Sequence, residues 1–332
     1  MCIKKYVVFL AGFFCCWQKV YAQQDAQFTQ YIFNGIYLNP AYAGYRQEFN
    51  AHAFYRHQWV GVPGAPETMS LAVDGSVNND RVGLALQVSQ DKTGAQSQLA
   101  AYGNYAYRIP LGDETGRLAL GIGAGIVQQG LNPNELDFNN PNEPDLAGAT
   151  QHMLLFDVRA GAYYTTENWF VGFSADNLTA QYQAKNKPLG HFIPVPKPHF
   201  YLTAGAMFRI NDDVYLKPSF LLKEDRAGPT NLDLNMFVLL KEVVWVGGGY
   251  RTAVGLFNKP ELQPGLTKSS AVVAMAEVFV LPELRIGYAF DYALNKYRTY
   301  NNGTHEISVG YYFKRMDNVR RNSLRQLRCS YF

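Results

Sequence analysis

Three sets of residues could do chemistry. Gly121-x-Gly123-x-Gly125 has the glycine density of a phosphate-binding loop. Asp137, Asn139, Asn142, Glu143 and Asp145 gather side-chain oxygens as calcium sites do. Six histidines, His52, His57, His152, His191, His199 and His305, are potential metal ligands. Each set lacks the context its chemistry requires. A dinucleotide loop opens a helix, whereas these glycines alternate within a strand and read as strand packed close beside other backbone. The acidic stretch lacks EF-hand spacing and its glycine, so it reads as a solvated, turn-rich loop. No two histidines stand at i, i+2 or i, i+4, and no serine carries the local signature of an activated nucleophile. Asn177-Leu178-Thr179 matches a glycosylation sequon, a triplet common by chance. The sequence therefore predicts no catalytic residue, no metal and no cofactor.

A fourth set is structural. Asp157, Asp176, Asp233, Glu277, Asp291 and Glu306, with Arg159, Arg209, Lys217, Arg251 and Arg285, fall on the polar side of alternating segments. Leu118, Leu120, Ile122, Ala124 and Ile126 share one face of their segment, and Ala119, Gly121, Gly123 and Gly125 the other. Val82, Leu84, Leu86 and Val88, and then Leu284, Ile286, Tyr288 and Phe290, repeat the pattern. Segments of this kind lie near 46–58, 65–78, 80–91, 95–109, 116–129, 151–165, 168–178, 197–210, 213–224, 229–241, 243–254, 267–280, 283–294 and 302–314, about fourteen in all. Connections after even segments are short, such as Asn78-Asn79-Asp80 and Lys241-Glu242. Those after odd segments include the long 130–150, 179–196 and 255–266.

Sorting of loop length by parity predicts an all-β transmembrane antiparallel barrel, with short periplasmic turns and longer extracellular loops. A soluble sandwich gives no reason for it. The apolar faces are expected to meet lipid, with Trp169, Tyr163, Tyr164, Tyr292 and Phe313 near strand ends as aromatic girdles. The ionisable set then faces the lumen, with His52 and His305 as lumen or rim groups. Its signs balance, so internal ion pairs, Arg285 with Asp291 among them, are expected to fill the barrel instead of a one-sign ring selecting ions.

Composition agrees. Hydrophobic residues make up 48% and charged residues 17%, but no run of about 20 apolar residues follows the first 22 positions. Residues 1–22 read as a signal peptide: Lys4 and Lys5, an apolar run from Tyr6 to Trp17, and Val20-Tyr21-Ala22 as cleavage site. Cys2, Cys15 and Cys16 leave with it, and the remaining Cys329 has no neighbouring His or Asp to activate it. The net charge of +3 equals the three leader lysines, Lys4, Lys5 and Lys19, which argues against a nucleic-acid partner. Residues 315–332 form a basic tail with Arg315, Arg320, Arg321, Arg325 and Arg328 against Asp317, expected in the periplasm as a solvated tail or a docking segment for an acidic partner. The boundaries expected are 1–22, an N-terminal periplasmic segment at 23–45, the barrel at 46–314 and the tail at 315–332.

The stretch from Gln24 to Gly44, with Asn39-Pro40-Ala41-Tyr42-Ala43-Gly44 its most specific part, resembles the opening of the PorP/SprF family of type IX secretion system membrane proteins. The likeness continues through Arg56-His57-Gln58-Trp59, Gly64-Ala65-Pro66-Glu67-Thr68, His305-Glu306-Ile307-Ser308 and Arg328-Cys329-Ser330-Tyr331-Phe332. Physically, Asn39-Pro40 forces a turn, and Phe28, Tyr31, Phe33 and Tyr37 are too many aromatics to leave wet. The segment is expected inside or against the periplasmic mouth, as a plug or docking collar, with Gln27, Phe28, Tyr31, Phe33, Asn39, Pro40 and Gly44 as docking residues and Arg320, Arg321, Arg325 and Arg328 docking from the tail.

The resemblance implies a non-enzymatic outer-membrane component of a Gram-negative bacterium that supports secretion or surface retention of adhesins with C-terminal secretion signals, as in gliding motility. Its implied partners are the adhesin or its C-terminal signal domain, periplasmic components of the machinery, and outer-membrane lipid. The rivals are a passive porin or hydrophobic-substrate transporter and, from a third class, a barrel enzyme.

Overall fold

The computed structural model describes residues 28–111, 116–136, 151–184, 196–225, 228–257, 259 and 270–313. Fourteen strands wind up and down: β1 Phe49–His57, β2 Glu67–Val77, β3 Val82–Thr93, β4 Gln96–Pro110, β5 Arg117–Leu131, β6 Gln151–Thr165 and β7 Trp169–Asp176. They continue with β8 His199–Ala206, β9 Val214–Asp225, β10 Thr230–Leu240, β11 Val244–Val254, β12 Ser270–Phe279, β13 Leu284–Ala293 and β14 Thr304–Phe313. After Met207, β8 is continued by Phe208–Arg209, and both pieces pair with β9. Pro218 of β9 stands opposite this break and has no N–H to donate, which accounts for the interrupted ladder.

Each strand pairs antiparallel with its successor, and β1 pairs with β14 from Phe49↔Phe313 to His57↔His305, so the sheet closes into a barrel without an edge. The chain thus satisfies its backbone within the wall, as a membrane requires. No helix among the described residues is long and apolar enough to cross a bilayer. Connections at one end are uniformly short. At the other end most are long, with Gly94-Ala95 between β3 and β4 and 226–229 between β9 and β10 as exceptions. The ends are called the short-turn and long-loop ends below.

Outward residues are apolar and exposed: Leu84, Leu86, Leu120, Ile122, Ile126, Phe156, Phe173, Ile286 and Ile307. Trp169, Tyr292 and Phe313 are exposed near strand ends, and Tyr164 packs beside Trp169 at 5.2 Å between centroids. Tyr163 corrects the girdle expectation. Adjacent residues of a strand point to opposite faces, so with Tyr164 outward Tyr163 turns into the barrel, where it stacks on Phe170 and meets Tyr42 and Tyr45 edge-on.

The main core lies inside the lumen. Phe33, Ile36 and Tyr37 of the N-terminal segment pack among Phe54, Phe237, Leu239 and Trp245 of the wall. A second cluster in the long-loop half joins Val127, Leu131, Met153 and Leu155 to Ala180 and Ala184 of the short helix α1, Ala180–Ala184.

Candidate functional site

The site is the lumen with the segment inside it. Residues 30–42 fold as three 3-10 turns, Gln30–Phe33, Gly35–Tyr37 and Pro40–Tyr42. Asparagines punctuate them: Asn34 Oδ1 accepts from Ile36 N, and Asn39 Oδ1 from Ala41 N at 2.9 Å, with Pro40 supplying a preset φ at the first helical position. Isolated turns this short are not stable alone, so the wall must hold them.

It does so first by steric fit. A Cβ on Gly83 would overlap Ala43, one on Gly121 would overlap Ala41, one on Gly161 would overlap Asn39, and one on Gly287 would overlap the Gln30 amide. Single glycines on β3, β5, β6 and β13 thus form a track on which the segment lies against the sheet. Gly44 itself has φ +62°, a left-handed turn open to glycine, and presses on Gly75.

The second hold is polar. Inward side chains satisfy the segment's main chain, which has no ladder of its own. At the long-loop end Glu306 accepts from Thr29 N and Gln30 N, both at 2.8 Å. Arg56 pairs with Glu306 at 3.0 Å and Asp291 at 2.8 Å, Asp291 accepts from the Thr29 hydroxyl, and Arg251 links Asp291 to Asp233. In the middle Arg159 donates to Tyr37 O at 2.9 Å and pairs with Asp176 at 3.0 Å, while Asn39 Nδ2 donates to Ala162 O and Phe173 O. Toward the short-turn end Arg285 and Arg46 both donate to Phe33 O, and Lys217 donates to Ile32 O. Arg108 donates to Ala43 O at 2.7 Å, and Asp74 accepts from Gly44 N at 2.9 Å. Tyr31 accepts from Asn235 Nδ2 at 2.7 Å and Tyr37 donates to His52 O.

Ten of the eleven charged residues expected in the lumen are brought around or above this segment. Asp157 accepts from Tyr102 and from the main chain at the start of α1, and Glu277 pairs with Arg285 at 3.3 Å. Arg209 is the correction. It lies at the short-turn rim beyond the lumen, half exposed, and pairs with Asp212 of the adjoining turn. Arg285 and Asp291 do not pair; each has its own partners at opposite ends of β13. Sequence reasoning missed Arg46, Arg56, Asp74 and Arg108 inside, and the buried His199–Asp225 pair at 3.2 Å. Strand parity could have found Arg56, Asp74 and Arg108, which share faces with Phe54, Ala72 and Ala106. His52 is buried in the lumen, and His305 lies near the long-loop rim against Tyr288.

Tyr31, Phe33, Asn39 and Pro40 are buried inside the barrel and Phe28 packs against Tyr37 and Phe54, so their side chains fill the lumen and present no collar at a rim. Gln27, the acidic stretch from Asp137 to Asp145, His191 and the tail with Arg320, Arg321, Arg325 and Arg328 lie outside the described residues.

A family model described as type IX secretion system membrane protein PorP/SprF matches residues 20–311, covering the segment and nearly all of the barrel. The chain belongs to the PorP/SprF family. Among solved structures, this PorP/SprF barrel is similar to the CymD monoaromatic hydrocarbon channel, with TM-score 0.51, 10% identity, and 85% of this chain and 93% of that chain covered. A Pseudomonas aeruginosa FadL homologue (TM-score 0.47, 11% identity, 90% and 96% covered) and the Acinetobacter baumannii outer membrane protein Omp33 (0.44, 9%, 80% and 98%) are more distant in shape. At such identities the likeness speaks for the outer-membrane barrel fold alone. Comparison with curated proteins finds no significant match.

Proposed function

We propose that this PorP/SprF chain is a non-enzymatic component of the type IX secretion or gliding machinery, seated in the outer membrane of a Gram-negative bacterium with its short turns in the periplasm. It supports secretion or surface retention of adhesins that carry C-terminal secretion signals. The observation that carries this reading is the filled lumen: the segment from Thr29 to Gly44 is locked into the barrel by inward charges on its main chain. A passive porin needs an open, wet path between sites weak enough to release solute, and the interior runs the other way. The barrel therefore serves as a rigid platform whose partners, the adhesin or its signal domain on one side and periplasmic components on the other, meet its ends. Lipid covers its wall.

The test pairs two measurements. Loss of the protein should abolish surface display of the cognate adhesin, and complementation should restore it. The purified protein in planar bilayers should show no steady ohmic conductance. Normal display in the deletion strain together with porin-like conductance would sink the proposal in favour of a transporter.

A further inference from the structure

One row of the wall gathers hydrogen-bond donors that the N-terminal segment does not use. Arg285 of β13 stands opposite Gly310 of β14, and Gly310 opposite His52 of β1. The outer two are buried in the lumen, 2% and 1% exposed. Gly310 leaves the middle strand bare, and the Arg285 side chain lies across it, since a Cβ on Gly310 would overlap Arg285 Nε. The guanidinium is thereby carried from β13 toward β1. Two strand spacings separate Arg285 from His52, about 10 Å in all, and the arginine covers the first of them.

Nη1 of Arg285 is engaged, donating to Phe33 O and to Glu277 Oε1, both at 3.3 Å. The other edge is not. Nε and Nη2, which together form the edge that grips an anion side-on, are buried and have no hydrogen-bond partner among the described residues. Neither ring nitrogen of His52 has one, nor has Nδ2 of Asn34, the residue after Phe33. A buried donor left unmade costs its full desolvation, and a charged one costs more. Charge points the same way. Arg46 also donates to Phe33 O, Lys217 donates to the adjoining Ile32 O, and the Arg46 and Arg285 guanidiniums lie over the Tyr312 ring at 5.4 and 5.1 Å. Glu277 pairs with Arg285, whereas Arg46 forms no ion pair among the described residues. Asp74, the other carboxylate in range of Arg46, is held by Asn50 and by Gly44 N.

We propose that the row Arg285, Gly310, His52 binds one small monovalent anion of the chloride type, held side-on by Nε and Nη2 of Arg285 and from across β14 by an N–H of His52. A neutral imidazole has one N–H to give in either tautomer. An anion accepts from all three donors and offsets the unmatched guanidinium charge. A water accepts hydrogen bonds too, but it leaves that charge as it was. The ion acts as a structural counter-ion that ties β13, β14 and β1, the strands beside the closing seam, to the turn ending at Phe33. Nothing in this site depends on the secretion role.

The experiment uses the full-length protein refolded into detergent without halide. Urea midpoints are measured in sodium chloride, sodium bromide and sodium gluconate at equal ionic strength, and over a range of chloride concentrations with gluconate making up the difference. Expected is a higher midpoint in both halides than in gluconate. The effect should follow 1 + [halide]/Kd, so that the folded-to-unfolded ratio rises about a hundredfold at a halide concentration of 100 Kd. His52→Phe keeps a ring to meet Phe54, which His52 contacts edge-on at 4.9 Å, and should lose most of the halide effect. Should it not accumulate as a heat-modifiable barrel, Arg285→Met combined with Glu277→Gln replaces it, a pair that strands neither charge. Arg209→Met, at the short-turn rim outside the lumen, should respond as the unaltered protein does. Equal midpoints in the three salts, or an undiminished halide effect in the lumen variant, overturns the proposal. Display of the adhesin does not enter this measurement, so failure of the proposed function leaves its result untouched.

Discussion

Asn39 occupies the space that a side chain on Gly161 would need: a Cβ there would overlap the Asn39 carboxamide oxygen, the same atom that caps the Pro40–Tyr42 turn. Glycine in a strand ordinarily weakens it. In β6 its absence of side chain is what allows the segment to seat against the wall.

Gly161→Ala and Gly121→Ala should therefore destabilise the barrel by about 1–3 kcal/mol each, the usual range for forcing atoms into a packed site. Gly103, with no heavy atom near its missing side chain, supplies the control. Gly103→Ala should be neutral or gain up to about 1 kcal/mol, as unconstrained glycine replacements do. The temperature of the heat-modifiability shift reads all three, and equal behaviour of Gly161→Ala and Gly103→Ala would refute the backbone track.

The Arg56 guanidinium touches Thr29, Asp291 and Glu306 at once. Arg56→Met removes the cation from two buried carboxylates and should cost about 3–5 kcal/mol. Adding Glu306→Gln removes one stranded charge, so the double variant should be more stable than the sum of the singles by about 0.5–3 kcal/mol. Strict additivity would mean that water reaches this level of the lumen and screens the pair.

Phe33 packs against Phe237 and Trp245 with ring centroids 5.6 and 6.0 Å away, whereas Phe28 is only partly buried. Phe33→Ala should cost about 3–5 kcal/mol and Phe28→Ala clearly less. Urea titration of the purified barrel in detergent ranks them, and a reversed order would count against a lumen core centred on Phe33.

The wall was legible in the sequence because each strand has lipid on one side, and strands such as Leu84-Ala85-Leu86 or Ile286-Gly287-Tyr288 must alternate to satisfy it. The aromatic count of the segment also announced that it would be buried. Its direction was hidden, since nothing in Thr29-Gln30 marks Glu306 as a partner 277 and 276 residues away. The alternating glycines announced a strand packed close beside other backbone, but which backbone lay against Gly121 was settled only by the position of Ala41. The ion pairs were misjudged for a geometric reason. Arg285 and Asp291 share a face of β13, but six residues at about 3.3 Å each put them roughly 20 Å apart along the strand, and their partners come from β12, β1 and β11 instead.

The tail beyond residue 314 supplies the last prediction. Among the described residues the closing ladder between β1 and β14 ends at Phe49↔Phe313, so deleting 320–332 removes no rung of the described barrel. The truncated protein should keep its heat-modifiable migration. Arg320, Arg321, Arg325 and Arg328 would be lost together, the basic cluster that, on the proposed orientation, would dock a periplasmic partner. Docking through charge is screened as the Debye length shortens, from about 10 Å at 0.1 M salt to about 3 Å at 1 M. Co-purification of periplasmic components with the intact protein should therefore weaken as salt rises over that range. The truncated protein should retain little of it at any salt, and surface display of the adhesin should fall in parallel. Normal display and salt-independent co-purification from the truncated protein would reject docking by the tail and leave the short turns, such as Asn78-Asn79-Asp80 and Lys241-Glu242, as the periplasmic contact.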